Sequence, residues 1–129
     1  MDAEEAARRW ADGWARAWAA HDPDAVAALY ASEATFLSHP FRGPQAPREY
    51  AAWAFADEDE LIDSHWGEPR AAGDRAAVEW WAVVRTGERV DTIAGVSLLR
   101  FREDGLVTEQ RDYWAMQEGR HEPGPGWGR

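Results

Sequence analysis

From Leu61 onward the sequence falls into four long runs, about 61–71, 75–86, 89–102 and 106–117, rich in the β-branched and aromatic residues that favour strands. The segments between them, AAGD, TGE and EDG, carry the glycine and acidic residues that tight turns require. Long strands joined by such short turns pair as consecutive antiparallel hairpins. A meander of this kind leaves one apolar face that it cannot cover itself, so the cover has to come from residues 1–60.

Those residues read as helices. Trp10, Trp14 and Trp18 recur every four residues with Ala7, Ala11 and Ala15 beside them, and acids open the segment, which predicts an amphipathic helix over about residues 3–20. Asp22 and Pro23 read as an N-cap and first helical residue, and the spacing of Val26, Leu29 and Tyr30 predicts a second, short helix ending near Ser32. A brief strand, Ala34 to Ser38, precedes the punctuation at Gly43, Pro44 and Pro47, and Tyr50 and Trp53 mark a third helix. Helices first and strands afterwards define an α+β class: three N-terminal helices packed on a curved, mainly antiparallel sheet that encloses a pocket. Residues 1–117 form one domain, and 118–129, rich in Gly and Pro, form an irregular tail on which Trp127 is placed to dock.

Composition narrows the partners. The net charge of −10 and the pI near 4.8 oppose phosphate backbones and anionic membranes, so neither nucleic acid nor a lipid surface is expected. Cysteine is absent, which removes thiolate catalysis and Cys-ligated metals. A metal site needs a facial cluster such as two histidines and a carboxylate, and only His39 is placed to share a cavity with Asp112 and Glu79; no Gly-rich phosphate loop, dinucleotide fingerprint or serine elbow occurs, so no metal and no cofactor is expected. The opening MDAEEAARRW has no basic n-region and no apolar h-region, which reads as cytoplasmic. Nine tryptophans exceed what a core of this size needs and point to a walled cavity.

Strand parity sorts the faces. Glu79 and Trp81 are assigned to the interior, with Ile93, Gly95, Ser97, Leu99 and Phe101 on the next strand and Gln110, Asp112, Trp114 and Met116 on the last. The opposite set, Val78, Trp80, Ala82 and Val84 with Thr92, Arg100, Glu109, Arg111 and Tyr113, mixes apolar and charged groups as a self-complementary dimer surface would. In FLSHPFRGP, residues 36–44, His39 stands where the chain leaves a strand. It is either a solvated turn residue or a base, and imidazole suits proton abstraction near neutrality.

Three motifs, HDPDAVAALYASEATF, HPFRGP and LLRFREDGLVTEQRDYW, resemble the nuclear transport factor 2-like superfamily, which includes SnoaL-like polyketide cyclases and ketosteroid isomerase. The resemblance implies a cone-shaped (cystatin-like) fold with a deep pocket, usually dimeric. It places His39 where ketosteroid isomerases carry an aspartate base, Trp14 where they carry a tyrosine, and Ser97 where they carry a second acid. Asp112, in RDYW, matches the catalytic aspartate of SnoaL-like cyclases. Two expectations follow. One is a cofactor-independent isomerase, cyclase or lyase acting on an apolar, carbonyl-containing substrate, with His39 as base and Asp112 as its orienting partner or as acid. Ser97 and Gln110 would hold the carbonyl, and Trp14, Trp66, Glu79, Trp81 and Trp114 would line the binding site. The other is a non-catalytic ligand-binding or scaffolding module of the same fold.

Overall fold

Asp2 and Asp22 start the first two helices by the same device, a carboxylate that accepts backbone N–H groups left open by the first turn: Glu5 for Asp2, Asp24 and Ala25 for Asp22. In the computed structural model, which describes residues 1–129, the helices are α1 (Ala3–Ala20), α2 (Pro23–Ala27) and α3 (Pro47–Ala56). The strands are β1 (Tyr30–Leu37), β2 (Glu60–Trp66), β3 (Arg70–Ala72), β4 (Arg75–Thr86), β5 (Arg89–Phe101) and β6 (Val107–Glu118). His21 ends α1 in the left-handed region at φ 49°, and its N–H returns to the carbonyls of Ala17 and Trp18. No helix is long and apolar enough to cross a membrane.

The six strands form one curved, open sheet in the order β1-β6-β5-β4-β2, with β3 also on β4. β4, β5 and β6 are the antiparallel hairpins that the turn sequences predict, while β1 joins β6 in parallel. α1 lies on the concave face and buries Ala6, Ala7, Trp10, Ala11, Trp14 and Ala17, its alanines letting the helix come close while its indoles reach the core. Each such indole removes roughly 200 Å² from water, worth about 5 kcal/mol before entropy. Gly95 keeps β6 close at the centre of the sheet, because a Cβ there would sit 2.6 Å from the Cβ of Trp114. The curvature behind the cavity depends on that missing side chain.

Three local expectations need correction. α2 stops at Ala27, and Tyr30 opens β1 instead of continuing a helix to Ser32. The carbonyl of Leu29 accepts from Val107, so long-range pairing with β6 wins over helical spacing. The run 61–71 is two strands, broken at Gly67-Glu68-Pro69, where Pro69 cannot donate to a ladder.

The third correction is to the parity of β4. Val78 is opposite Ser97, which is opposite Asp112; Trp80 is opposite Gly95, which is opposite Trp114. Val78, Trp80, Ala82 and Val84 therefore face inward, whereas Glu79 and Trp81 share the outer face with Val96, Ala94 and Tyr113. The strand RAAVEWWAVVRT is apolar on both sides with a tryptophan on each, so alternation by itself has no sign to read; the assignments on β5 and β6 stand except for Met116, which is 51% exposed near the end of β6 and outside the cavity. Residues 120–129 fold back over the outer face. Trp127 packs edge-on against both His65 and Trp81, Trp81 Nε1 donates to the carbonyl of His121, and Glu68 N donates to that of Gly128.

Candidate functional site

Between α1, α3 and the concave face lies a cavity of about 290 Å³. Seven of the nine tryptophans line it, together with Arg42, Tyr50, Phe55, Asp57, Glu58, Ile93, Ser97, Gln110 and Asp112. Sequence reasoning places Trp14, Trp66, Ser97, Gln110, Asp112 and Trp114 here, and the structure brings all six together. It leaves out Glu79 and Trp81, which the register turns outward. It also leaves out His39, whose ring packs edge-on against Trp114 with centroids 4.8 Å apart and whose Nδ1 accepts the N–H of Phe41. No hydrogen bond joins His39 to Asp112.

Trp10, Trp18, Tyr50, Trp53, Trp80, Glu58 and Arg42 join them, with Ala54, Phe55, Asp57 and Ile93 making up the rest of the lining. The first two carry a legible signal, since they flank Trp14 at helical spacing and share its face. Glu58 carries none, because it sits in the exposed-looking run DEDE.

Asp112 is the centre of a directional network. Ser97 Oγ donates to its Oδ1 at 2.6 Å and Gln110 Nε2 donates to the same oxygen at 2.9 Å. Trp80 Nε1 donates to Ser97 Oγ at 3.0 Å. On the other side, Gln110 Oε1 accepts from the Tyr30 hydroxyl at 2.5 Å and from Trp10 Nε1 at 3.0 Å, and Trp14 Nε1 donates to Tyr30 Oη at 2.8 Å. The amide of Gln110 is thereby locked, because a flipped amide would set its NH₂ against two donors. Both donors that reach the Asp112 carboxyl, Ser97 and Gln110, go to Oδ1, which leaves Oδ2 without a side-chain donor in a residue that lines the cavity.

Burial pushes the Asp112 carboxyl up to about 7, opposed only in part by the donors Ser97 and Gln110. Burial likewise pushes the Tyr50 phenol up to about 12, with the Asp112 charge adding to the rise, and lifts the Tyr30 phenol further. Both tyrosines stay protonated. Ser97 and Gln110 are committed to Asp112 and are not free to hold a substrate carbonyl, the role that their residue types suggest. Among the donors left for that task are the Tyr50 hydroxyl and Arg42, whose guanidinium lies 5.1 Å from the Trp53 ring centroid and 5.3 Å from that of Trp114.

One group has the donor set for a metal, and it lies outside the cavity. Asp63, His65 and Glu122 bring their ligand atoms within 4.8 Å of one another near the tail. Arg120 pairs with Asp63 at 3.1 Å and with Glu122 at 3.2 Å, supplying the positive charge that an ion would otherwise bring.

A helix-capped, strongly curved sheet around a deep aromatic pocket with one buried acid defines the nuclear transport factor 2-like, ketosteroid isomerase-like class of small pocket proteins. Residues 8–110 match the model of the SnoaL-like domain, and the chain belongs to that family. Its fold is similar to that of a ketosteroid isomerase-like protein from Catenulispora acidiphila in complex with trimethylamine, at TM-score 0.71 and 22% identity over 82% of this chain and 85% of that one. The epoxide hydrolase/cyclase-like enzyme SalBIII, of pyran ring formation in the polyether salinomycin, has TM-score 0.76 and 18% identity over 92% of this chain and 100% of its own. An LEH-like epoxide hydrolase from M. tuberculosis has TM-score 0.68 and 18% identity over 87% and 84%. None of the curated proteins matches this chain in sequence.

Proposed function

We propose that the protein is a cofactor-independent acid–base enzyme, of isomerase, cyclase or lyase type, in which Asp112 exchanges a proton with an apolar, carbonyl-containing substrate. One observation carries this reading: a buried carboxyl, its pKa pushed up to about 7, has an uncommitted oxygen in a cavity walled by indoles. A carboxyl poised at that pKa can both take and return a proton near neutrality. As base, Asp112 Oδ2 removes the proton from the carbon next to the carbonyl, and the electron pair moves onto the carbonyl oxygen. Tyr50 and Arg42 donate to that oxyanion. The protonated Asp112 then returns its proton to the same carbon or to a conjugated one, which closes the cycle without a co-reactant. Ser97 and Gln110 position Asp112 and do not touch the substrate.

The test is proton exchange. Apolar ketones incubated in D₂O with the protein should gain α-deuterium by NMR, at a rate that rises with pH through about 7 as Asp112 ionises. Asp112→Asn should lower that rate by about 100-fold or more. A rate indifferent to this change, or no exchange with any ketone that binds, favours the binding-module reading instead.

We also propose that a second copy covers part of the outer sheet face. Leu98 and Tyr113 are exposed there beside Arg100 and Arg111, uncovered by the tail. Trp80 and Val84, the anchors that parity suggests, point inward and take no part. Light scattering of wild type and Leu98→Glu tests this, with a wild-type monomer at micromolar concentration as the result against it.

A further inference from the structure

The cavity is unusual in what its tryptophans do with their polar edge. Trp10, Trp14, Trp18, Trp66, Trp80 and Trp114 each donate Nε1–H to a protein acceptor: the Tyr30–Gln110 pair, Glu58, Ser64, Ser97 or the carbonyl of Ser38. Trp53, which is 59% exposed, is the one lining indole with no protein acceptor; with the other six donors spent on the protein, what the buried indoles offer a ligand is π-face and ring edge. An indole face is electron-rich and attracts cations, whereas an anion needs the N–H groups that are already engaged. The cavity already shows this preference, because Arg42 stacks on both Trp53 and Trp114.

Charge runs the same way. The lining holds three carboxyls, Asp57, Glu58 and Asp112, against the single cation Arg42, within a chain of net charge −10. Glu58 is the notable one. Its side chain is only 11% exposed, and its Oε2 accepts from Trp18 Nε1 at 2.8 Å and meets His21 Nε2 at 2.7 Å, while Oε1 has no such partner. It lies just past the end of α3, whose C-terminal carbonyls carry partial negative charge and whose last turn holds no basic residue to offset it. Trp18, Trp14 and Phe55 surround this end in successive edge-to-face contacts, and His21 stacks on Phe55.

We infer that the cavity takes an organic cation, an apolar body bearing a tertiary or quaternary ammonium group, with Glu58 as its counter-ion and the indole faces of Trp14 and Trp18 as its cage. This deepens the enzyme reading and rests on it for one point only, that Asp112 keeps the proton-transfer role while Glu58 anchors the charge. The substrate class then becomes an amine-bearing carbonyl compound of one or two rings, in keeping with the cavity volume.

The experiment compares three ligands of fixed charge near neutrality: phenyltrimethylammonium, its neutral carbon isostere tert-butylbenzene, and benzoate. Tryptophan fluorescence titration of the wild-type protein gives the affinities without requiring any variant or turnover. The cation should bind about tenfold more tightly than tert-butylbenzene, with benzoate weakest. Glu58→Gln, which retains an acceptor for Trp18, should remove most of the cation's advantage and leave tert-butylbenzene unchanged, whereas Asp112→Asn should preserve the advantage. Equal binding of cation and isostere by the wild type overturns the inference, as does a cation advantage that survives Glu58→Gln or vanishes only in Asp112→Asn. Cation binding without α-deuterium exchange would sink the enzyme reading alone, and exchange without cation preference would sink the cation site alone.

Discussion

The two faces of strands β4, β5 and β6 are made from the same kinds of residue, yet they hold their polar groups in opposite ways. On the inner face, Trp80, Ser97, Gln110 and Asp112 are almost fully buried and every donor has one assigned acceptor. On the outer face, Arg100, Glu109 and Arg111 pair within reach of solvent, as Arg111 does with Glu109 at 3.0 Å, and Trp81 rests under the tail. Exposed pairs of this kind contribute little and rearrange freely. A buried network has no water to substitute for a lost partner, so it is rigid, and any acid inside it has its proton affinity set by burial. The difference explains why a pKa suited to acid–base work arises at Asp112, where water is excluded, and not among the solvated pairs behind it.

The comparison breaks most easily at paired tryptophans. Trp80→Ala should cost about 3–5 kcal/mol, since it empties the centre of the core and strips Ser97 of its donor. Trp81→Ala, on the neighbouring residue but the other face, should cost less than half as much. Equal shifts in urea unfolding midpoints would show that the two faces are energetically alike.

A second test uses pH. The Asp112 carboxyl rises from an ordinary 3.8 to about 7 in the folded chain, so the folded state holds this proton where the unfolded state has lost it. Its contribution to stability is present in full below pH 3.8 and is lost as pH rises through about 7, on the order of 4 kcal/mol in total. Asp112→Asn carries no such charge and should gain on wild type between about pH 4 and pH 7, and no further above that. A difference between the two that stays flat across that range would mean that Asp112 is solvated.

Smaller effects sharpen the picture. Gly95→Ala places a methyl against β6 between Trp80 and Trp114, and should destabilise by about 1–3 kcal/mol while narrowing the cavity; unaltered ligand affinity would mean that the sheet's curvature does not shape the site. His39→Ala should change stability by no more than about 0.5 kcal/mol and leave proton exchange intact, because its ring packs on Phe41 and Trp114 outside the cavity lining and has no hydrogen bond to Asp112. Loss of exchange in that variant would return the base role to His39.

Much of this molecule is legible in the order of its residues. Turn chemistry at AAGD, TGE and EDG marks the hairpins, the four-residue spacing of Trp10, Trp14 and Trp18 marks the helix that lids the sheet, and alternation on β5 and β6 puts Ser97, Gln110, Asp112 and Trp114 on one wall. These are local rules, and each rests on a period that a chain segment carries by itself. Where both phases of a strand are apolar, as in RAAVEWWAVVRT, the period is present but its sign is not. Only the register of β4 against Ser97 and Gly95 turns Trp80 in and Glu79 out. The same holds for Tyr30, drawn from helix to strand by Val107, and for Glu58, an acid in an acidic run until Trp18 and His21 close on it. The proton affinity of Asp112 belongs to this second class as well: it comes from the exclusion of water by side chains up to a hundred residues apart in sequence, such as Trp10 and Gln110, and no local pattern encodes that distance.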